Sequence, residues 1–128
     1  KFIMMNTEKE ILIIDDDSRN IFALTAVLKA KKYQCISAVS AVKGLELLEE
    51  NKNIGAVLMD MMMPEMDGYE AIGKMKSNTT LQKIPVIAIT AQAMTGDREK
   101  CLEAGADGYI SKPVNVDELL VLLNKLID

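Results

Sequence analysis

A chain of 128 residues, 49% of them hydrophobic, has the size of one ordinary domain and enough apolar content for one core. Its formal charge of −4, the lack of Trp and the sparse rings of Phe2, Phe22, Tyr33, Tyr69 and Tyr109 argue against direct nucleic-acid binding, which needs clustered basic residues or stacking platforms. With no histidine it carries no phosphohistidine, imidazole metal ligand or Ser-His triad of its own, and no apolar run nears the ~20 residues needed for membrane insertion.

Residues 1–8 read as an N-terminal tail, because Phe2-Ile3-Met4-Met5 is too short for a signal-peptide core, and residues 9–128 read as the domain. Ile11-Leu12-Ile13-Ile14 is a short unbroken apolar run, which suits a strand buried on both faces of a parallel sheet. Asp15-Asp16-Asp17 follows it, and Ile21, Leu24, Thr25 and Leu28 then recur at helical spacing. Lys29, Lys31 and Lys32 make the one tight basic patch, read as a solvated helix end. Cys35 to Val39 is a weaker strand candidate, and Ser40 can cap a second helix with the stripe Ala41, Leu45, Leu48. A third strand, Ala56-Val57-Leu58-Met59, leads into Asp60, after which Pro64 and Gly68 break the chain before a helix carrying Ile72 and Met75.

Pro85 begins a fourth strand, Val86-Ile87-Ala88-Ile89, which leads into Thr90. Gly105 ends the fourth helix, and Gly108-Tyr109-Ile110 is a short last strand leading through Ser111 into Lys112. Asn115 with Glu118 resembles a capping box for a final helix with Leu119, Leu122, Leu123 and Leu126 on one face. Cys35 and Cys101 lack any partner at metal-ligand or redox spacing and read as small buried thiols, which fits a reduced, cytoplasmic setting. The methionines Met59, Met61, Met62, Met63 and Met66 read as core and loop packing rather than a partner surface. The alternation gives an α/β fold, (βα)5, doubly wound, with a parallel five-stranded sheet in the order 2-1-3-4-5.

Sites in such sheets lie outside the carboxyl ends of the strands. Asp15 and Asp16, Asp60, Thr90 and Lys112 each stand at or just beyond such an end. Each has an ordinary alternative: a helix entry for Asp15–Asp17, a turn for Asp60, a cap for Thr90, a surface lysine for Lys112. Placed at one edge they explain one another. Carboxylates crowded within a few Å repel unless a cation joins them, and oxygen-only ligands favour a hard ion such as Mg2+. Such an ion and Lys112 would neutralise an incoming phosphoryl group, Asp60 would attack phosphorus, and the Thr90 hydroxyl would donate to a phosphoryl oxygen.

Four segments also carry a family pattern: Ile11 to Asp17, Val57 to Gly68, Ile89-Thr90-Ala91, and Gly105 to Pro113. In that order and spacing the chain, from about Glu10 to Ile127, resembles the receiver domain of two-component response regulators and hybrid histidine kinases, whose fold is flavodoxin-like. The resemblance implies that Asp60 is the phosphoacceptor, and that a metal is held by Asp15, Asp16, Asp60 and the backbone carbonyl of Met62, with Asp16 a direct ligand and Asp15 acting partly through water. It pairs Lys112 with the acceptor carboxylate and makes Thr90 and Tyr109 a switch pair. Ala91, Gln92 and Pro113 flank the site, the small Ala91 leaves room for the phosphoryl group, and Lys112–Pro113 is a candidate cis bond. Met62 and Gln92 depart from the chemotaxis-type pattern where polar side chains position hydrolytic water, so the lifetime of the phosphorylated state stays open.

The implied role is a phosphorelay domain that catalyses its own phosphorylation and dephosphorylation but turns over no separate substrate. The implied partner is a histidine kinase or histidine phosphotransfer domain; a stand-alone shuttle and a receiver module of a hybrid histidine kinase both stay open, the latter favoured, and a homodimer is left open. Two rival functions fit less well. A flavodoxin-type cofactor binder would want a Gly/Ser/Thr-rich phosphate cradle where this chain has three aspartates. A small phosphatase would want a second acid two residues after its nucleophile, where this chain has Met62, and a cap over its substrate. A degenerate receiver used only for docking would lack one of the site residues, and none is missing.

Overall fold

The computed structural model describes residues 9–91 and 95–127, and the expected tail at residues 1–8 lies outside the described residues. The strands are β1 (Glu10–Ile14), β2 (Gln34–Ala38), β3 (Ile54–Asp60), β4 (Val86–Thr90) and β5 (Gly108–Ser111). The helices are α1 (Ser18–Ala30), α2 (Ala41–Glu50), α3 (Gly68–Lys76), α4 (Asp97–Ala104) and α5 (Val116–Leu126). All neighbouring strands pair in parallel, in the order β2-β1-β3-β4-β5. This is the expected doubly wound sandwich.

The unbroken apolar runs are explained by burial on both sides of the sheet. Leu12, Ile14, Val57, Met59 and Ala88 join Leu48, Ala71, Ile72, Met75 and Cys101 in one core. Their chain neighbours Ile11, Ile13, Ala56, Leu58, Ile87 and Ile89 point the other way, onto Leu24 and Leu28 of α1 and Leu119 and Leu123 of α5. Alternate residues of one strand thus serve two cores. Each fully buried aliphatic side chain contributes about 1.5–3 kcal/mol.

Four helices start on a side chain that accepts a backbone N–H: Asp17, Ser40, Asp67 and Asn115. Among these, Ser40 and Asn115 were legible as caps. Helix α4 instead follows Gly96, at φ +89°, with no side-chain cap, and closes on Gly105 at φ +119°. Only glycine adopts such angles without strain.

Two details differ from expectation. Cys35 is half-buried rather than buried, because β2 is an edge strand, whereas Cys101 is fully buried. Strand β2 ends at Ala38, leaving Val39 exposed. Of the clustered methionines, Met59, Met61 and Met63 are buried and Met66 packs on the core, while Met62 is exposed. Among the described residues no helix is long and apolar enough to cross a membrane.

Candidate functional site

The parallel register aligns the strand ends. Ile14 lies beside Met59, Asp60 beside Ile89, and Thr90 beside Ser111. Whatever follows β1, β3, β4 and β5 therefore emerges on one edge. The chain continues the alignment past the strands, with the Met61 N–H donating to the Ile89 carbonyl at 3.0 Å and the Lys112 N–H to the Thr90 carbonyl at 2.8 Å.

Asp15, Asp16 and Asp60 are brought together there: each offers a carboxylate oxygen, and these oxygens lie within 4.8 Å of one another. Asp15 and Asp60 are buried, at 3% and 5% exposure, while Asp16 is exposed. The Lys112 ammonium lies 3.6 Å from Asp15 Oδ2 and 3.7 Å from Asp60 Oδ1, spanning the two buried carboxylates. Asp60 Oδ1 also accepts the Met62 N–H at 3.2 Å, and Asp15 Oδ1 accepts the Asp17 N–H at 2.8 Å. The peptide bond between Lys112 and Pro113 is cis, as expected.

Gly68 is fixed by the same loop. A Cβ there would meet Met61 Sδ at 2.5 Å, Met61 Cα at 2.7 Å and the Asp60 carbonyl oxygen at 3.0 Å. The start of α3 can thus close against the end of β3 only if residue 68 has no side chain.

Burial first, and then the Asp15 carboxylate, push Asp60 up to about 6, against the Met62 N–H and the Lys112 ammonium, which hold it down. Three carboxylates against one ammonium leave an excess of two negative charges. A divalent cation with hard oxygen preferences cancels that excess, so the donor set fits one.

The remaining expected site residues fall as follows. Thr90 is buried at the end of β4, Ala91 and Pro113 are exposed beside the edge, and Gln92 lies outside the described residues. Met62 contributes its backbone next to Asp60 and turns its side chain outward. Tyr109 is half-buried on β5 and donates its hydroxyl to Asp97 Oδ2 at 2.9 Å.

Sequence reasoning missed Asn20, whose side-chain amide donates to Asp15 Oδ2 at 2.9 Å. It sits inside α1, after the acidic run, so that Asp15 is held by the helix that follows it as well as by Lys112. A polar residue facing back toward the acidic run was the available signal.

An acidic cluster bridged by a lysine at the carboxyl edge of a 2-1-3-4-5 sheet defines a class of protein. Residues 11–124 match the response regulator receiver domain, and the chain belongs to that family, the receivers of two-component signalling. It is 35% identical over 112 residues to the polar-differentiation response regulator DivK of Brucella ovis, covering 88% of this chain and 90% of that protein. It is 30% identical over 117 residues to the two-component response regulator ORR11 of rice, Oryza sativa, covering 91% and 80%. Among solved structures it resembles the receiver domain of sensor histidine kinase PA1611 from Pseudomonas aeruginosa, which has a magnesium ion coordinated in its active site cleft. That likeness has a TM-score of 0.83 at 32% identity and covers 92% and 96% of the two chains. A response regulator from Chloroflexus aurantiacus gives a TM-score of 0.86 at 27% identity, covering 92% and 96%.

Proposed function

We propose that Asp60 accepts a phosphoryl group from a phosphohistidine of a sensor kinase or histidine phosphotransfer protein in the cytoplasm. One observation carries the reading: the Lys112 ammonium touches both buried carboxylates, Asp15 and Asp60, at the edge where four strands end. The Met62 N–H and Lys112 orient the Asp60 carboxylate. One Asp60 oxygen forms a bond to phosphorus while the phosphorus–nitrogen bond of the donor breaks, and the imidazole leaves with that electron pair. The product is an acyl phosphate, later cleaved by water.

Positioning and charge neutralisation do most of the work in such transfers. Lys112 moves its attention from the carboxylate to the phosphoryl oxygens, and the Thr90 hydroxyl donates to one of them. Ala91 leaves the entrance open. Magnesium fits the site as cofactor, with Asp15, Asp16, Asp60 and the Met62 carbonyl to hold it; bound there it supplies positive charge for the phosphoryl oxygens.

Phosphorylation adds a charge of about −2, by analogy with other phosphorylated side chains. Thr90 and Tyr109 then report it to the surface formed by α4, β5 and α5, as a shift between two populations. A hybrid histidine kinase is the parent architecture we favour, since the PA1611 receiver, part of a sensor histidine kinase, matches over 92% of this chain. The direct test is labelling by a small phosphodonor such as acetyl phosphate with magnesium. Asp60→Asn abolishes labelling on this reading; a variant that labels as well as the parent would refute it.

A further inference from the structure

The first residue of α4, Asp97, stands outside the phosphoacceptor machinery yet is tied to two other elements at once. Its Oδ1 accepts the Tyr69 hydroxyl of α3 at 3.0 Å, and its Oδ2 accepts the Tyr109 hydroxyl of β5 at 2.9 Å. The Tyr69 hydroxyl in turn accepts the Cys101 thiol at 3.7 Å, and the Lys100 ammonium lies 4.8 Å from the centre of the Tyr69 ring. Burial first, and then hydrogen bonds, with Asp97 and for Tyr69 also Cys101, push both phenols up, so both remain donors at neutral pH.

This arrangement is unusual for a residue in a first helical turn. A carboxylate there commonly serves its own helix end. Here both oxygens face sideways, and the helix has no side-chain cap at Gly96. Helix α4 buries only Cys101 among its residues, so its apolar anchorage is slight. The two tyrosine bonds supply lateral anchorage instead.

Tyr109 pairs with Ala88 in the register, and Thr90 lies two residues further along the same strand. Side chains two apart share a face of the sheet, so the Tyr109 ring and Thr90 lie on the side that α3 and α4 cover. On the switch reading the ring turns toward Thr90, and its hydroxyl then gives up the 2.9 Å bond to Asp97. A charge-assisted bond must therefore break before the ring can move.

We infer that Asp97 is a positioning residue for the phosphorylation switch: it latches Tyr109 in the unphosphorylated arrangement and, through Tyr69, makes α3 part of that latch. The inference rests on the phosphoacceptor reading of Asp60 and adds to it the group that sets how readily the switch turns. Removing the latch lowers the cost of the switched state, so a mimic of the acyl phosphate binds more tightly.

The test uses beryllium fluoride with magnesium chloride as that mimic, on chains labelled with carbon-13 at the tyrosine ζ carbon. There are three tyrosines, and Tyr33, hydrogen-bonded to Asn124 far from this network, serves as the internal reference for folding. Asp97→Ala is expected to lower the half-saturating concentration about three- to tenfold. In the free protein it should displace the Tyr69 and Tyr109 signals together and leave Tyr33 in place. Tyr69→Phe, which preserves shape, should shift the half-saturation in the same direction by less. Adding Asp97→Ala to Tyr109→Phe should change the half-saturation little beyond Tyr109→Phe alone, because the two act through one bond. An unchanged or raised half-saturation in Asp97→Ala, or full additivity in the double variant, overturns the latch. A parent chain that takes up no beryllium fluoride overturns the phosphoacceptor reading, and the latch with it.

Discussion

Helices α4 and α5 flank the same short strand, β5, and are held in different ways. Helix α5 is capped by Asn115, whose side chain accepts the Glu118 N–H at 2.9 Å, and it drives Leu119 and Leu123 into the core at 0% exposure. Helix α4 begins after an uncapped glycine, buries Cys101 alone and leans on hydrogen bonds from Tyr69 and Tyr109 to Asp97. Apolar packing is non-directional and yields little to a small change in one partner. A polar tether is lost when one group rotates. This fold can therefore move without unfolding on the α4 side, next to the site.

The largest expected break of that contrast is in the packing. Leu123→Ala on α5 should cost about 2–5 kcal/mol, as for other fully buried leucines whose cavity the surroundings fill only in part. Cys101→Ala on α4 removes one sulfur atom from an equally buried position and should cost only about 1 kcal/mol. Urea unfolding of the two variants measures the gap. Equal losses would mean that α4 is packed as firmly as α5 and would remove the basis of the comparison.

The floor of the site, at the ends of β1 and β3, is buried like the α5 leucines and charged like the α4 edge. Asp60 is pushed up to about 6 by burial and by Asp15. The folded chain therefore holds this proton more tightly than the unfolded chain does. That favours folding fully below pH ~4, and the contribution is lost as pH rises through the folded value. Above that, the ionised group opposes folding. Asp60→Asn should accordingly stabilise the chain by about 1–3 kcal/mol at pH 8 in a chelator, and by almost nothing at pH 4. Added magnesium should then narrow the difference at pH 8 by stabilising the parent alone, as any ligand of the folded state does. Denaturation curves across pH decide it; a stability difference that stays flat with pH would show that Asp60 carries no strained charge.

The sequence showed the floor of the site and hid its walls, for a physical reason. Asp15, Asp60, Thr90 and Lys112 each interrupt an apolar run, and a parallel sheet sends all such interruptions to one edge. Their positions could be read before any contact was known. The fold was legible on the same basis, because buried strands and amphipathic helices differ in period. Asn20, Tyr69 and Asp97 interrupt nothing. Asn20 looks like an ordinary polar helix residue, and Asp97 like an acidic helix start, until α1 and α4 are docked in place. Asp97 meets Tyr69 and Tyr109 only through tertiary packing, across separations of 28 and 12 residues. Cys35 misled for the complementary reason, since a strand's place at the edge of the sheet is set by topology and leaves the local pattern unchanged.

The smallest effect concerns how the two helices begin. Asn115→Ala removes the side chain that satisfies the Glu118 N–H and should cost about 1 kcal/mol. At the matching position of α4 there is no side-chain bond to lose. Gly96→Ala, at φ +89°, should nevertheless cost about 1–2 kcal/mol, because an added Cβ is strained in the left-handed region although nothing lies within 4 Å of it. Costs of similar size thus arise from opposite causes, and hydrogen exchange separates them. Asn115→Ala should speed exchange in the first turn of α5 alone, where the orphaned amides lie. Gly96→Ala should speed it along α4 as a whole, since this helix has little burial to resist a shifted start. Faster exchange confined to the first turn in both variants would mean that α4 is anchored along its length, and that Asp97 is one tether among many.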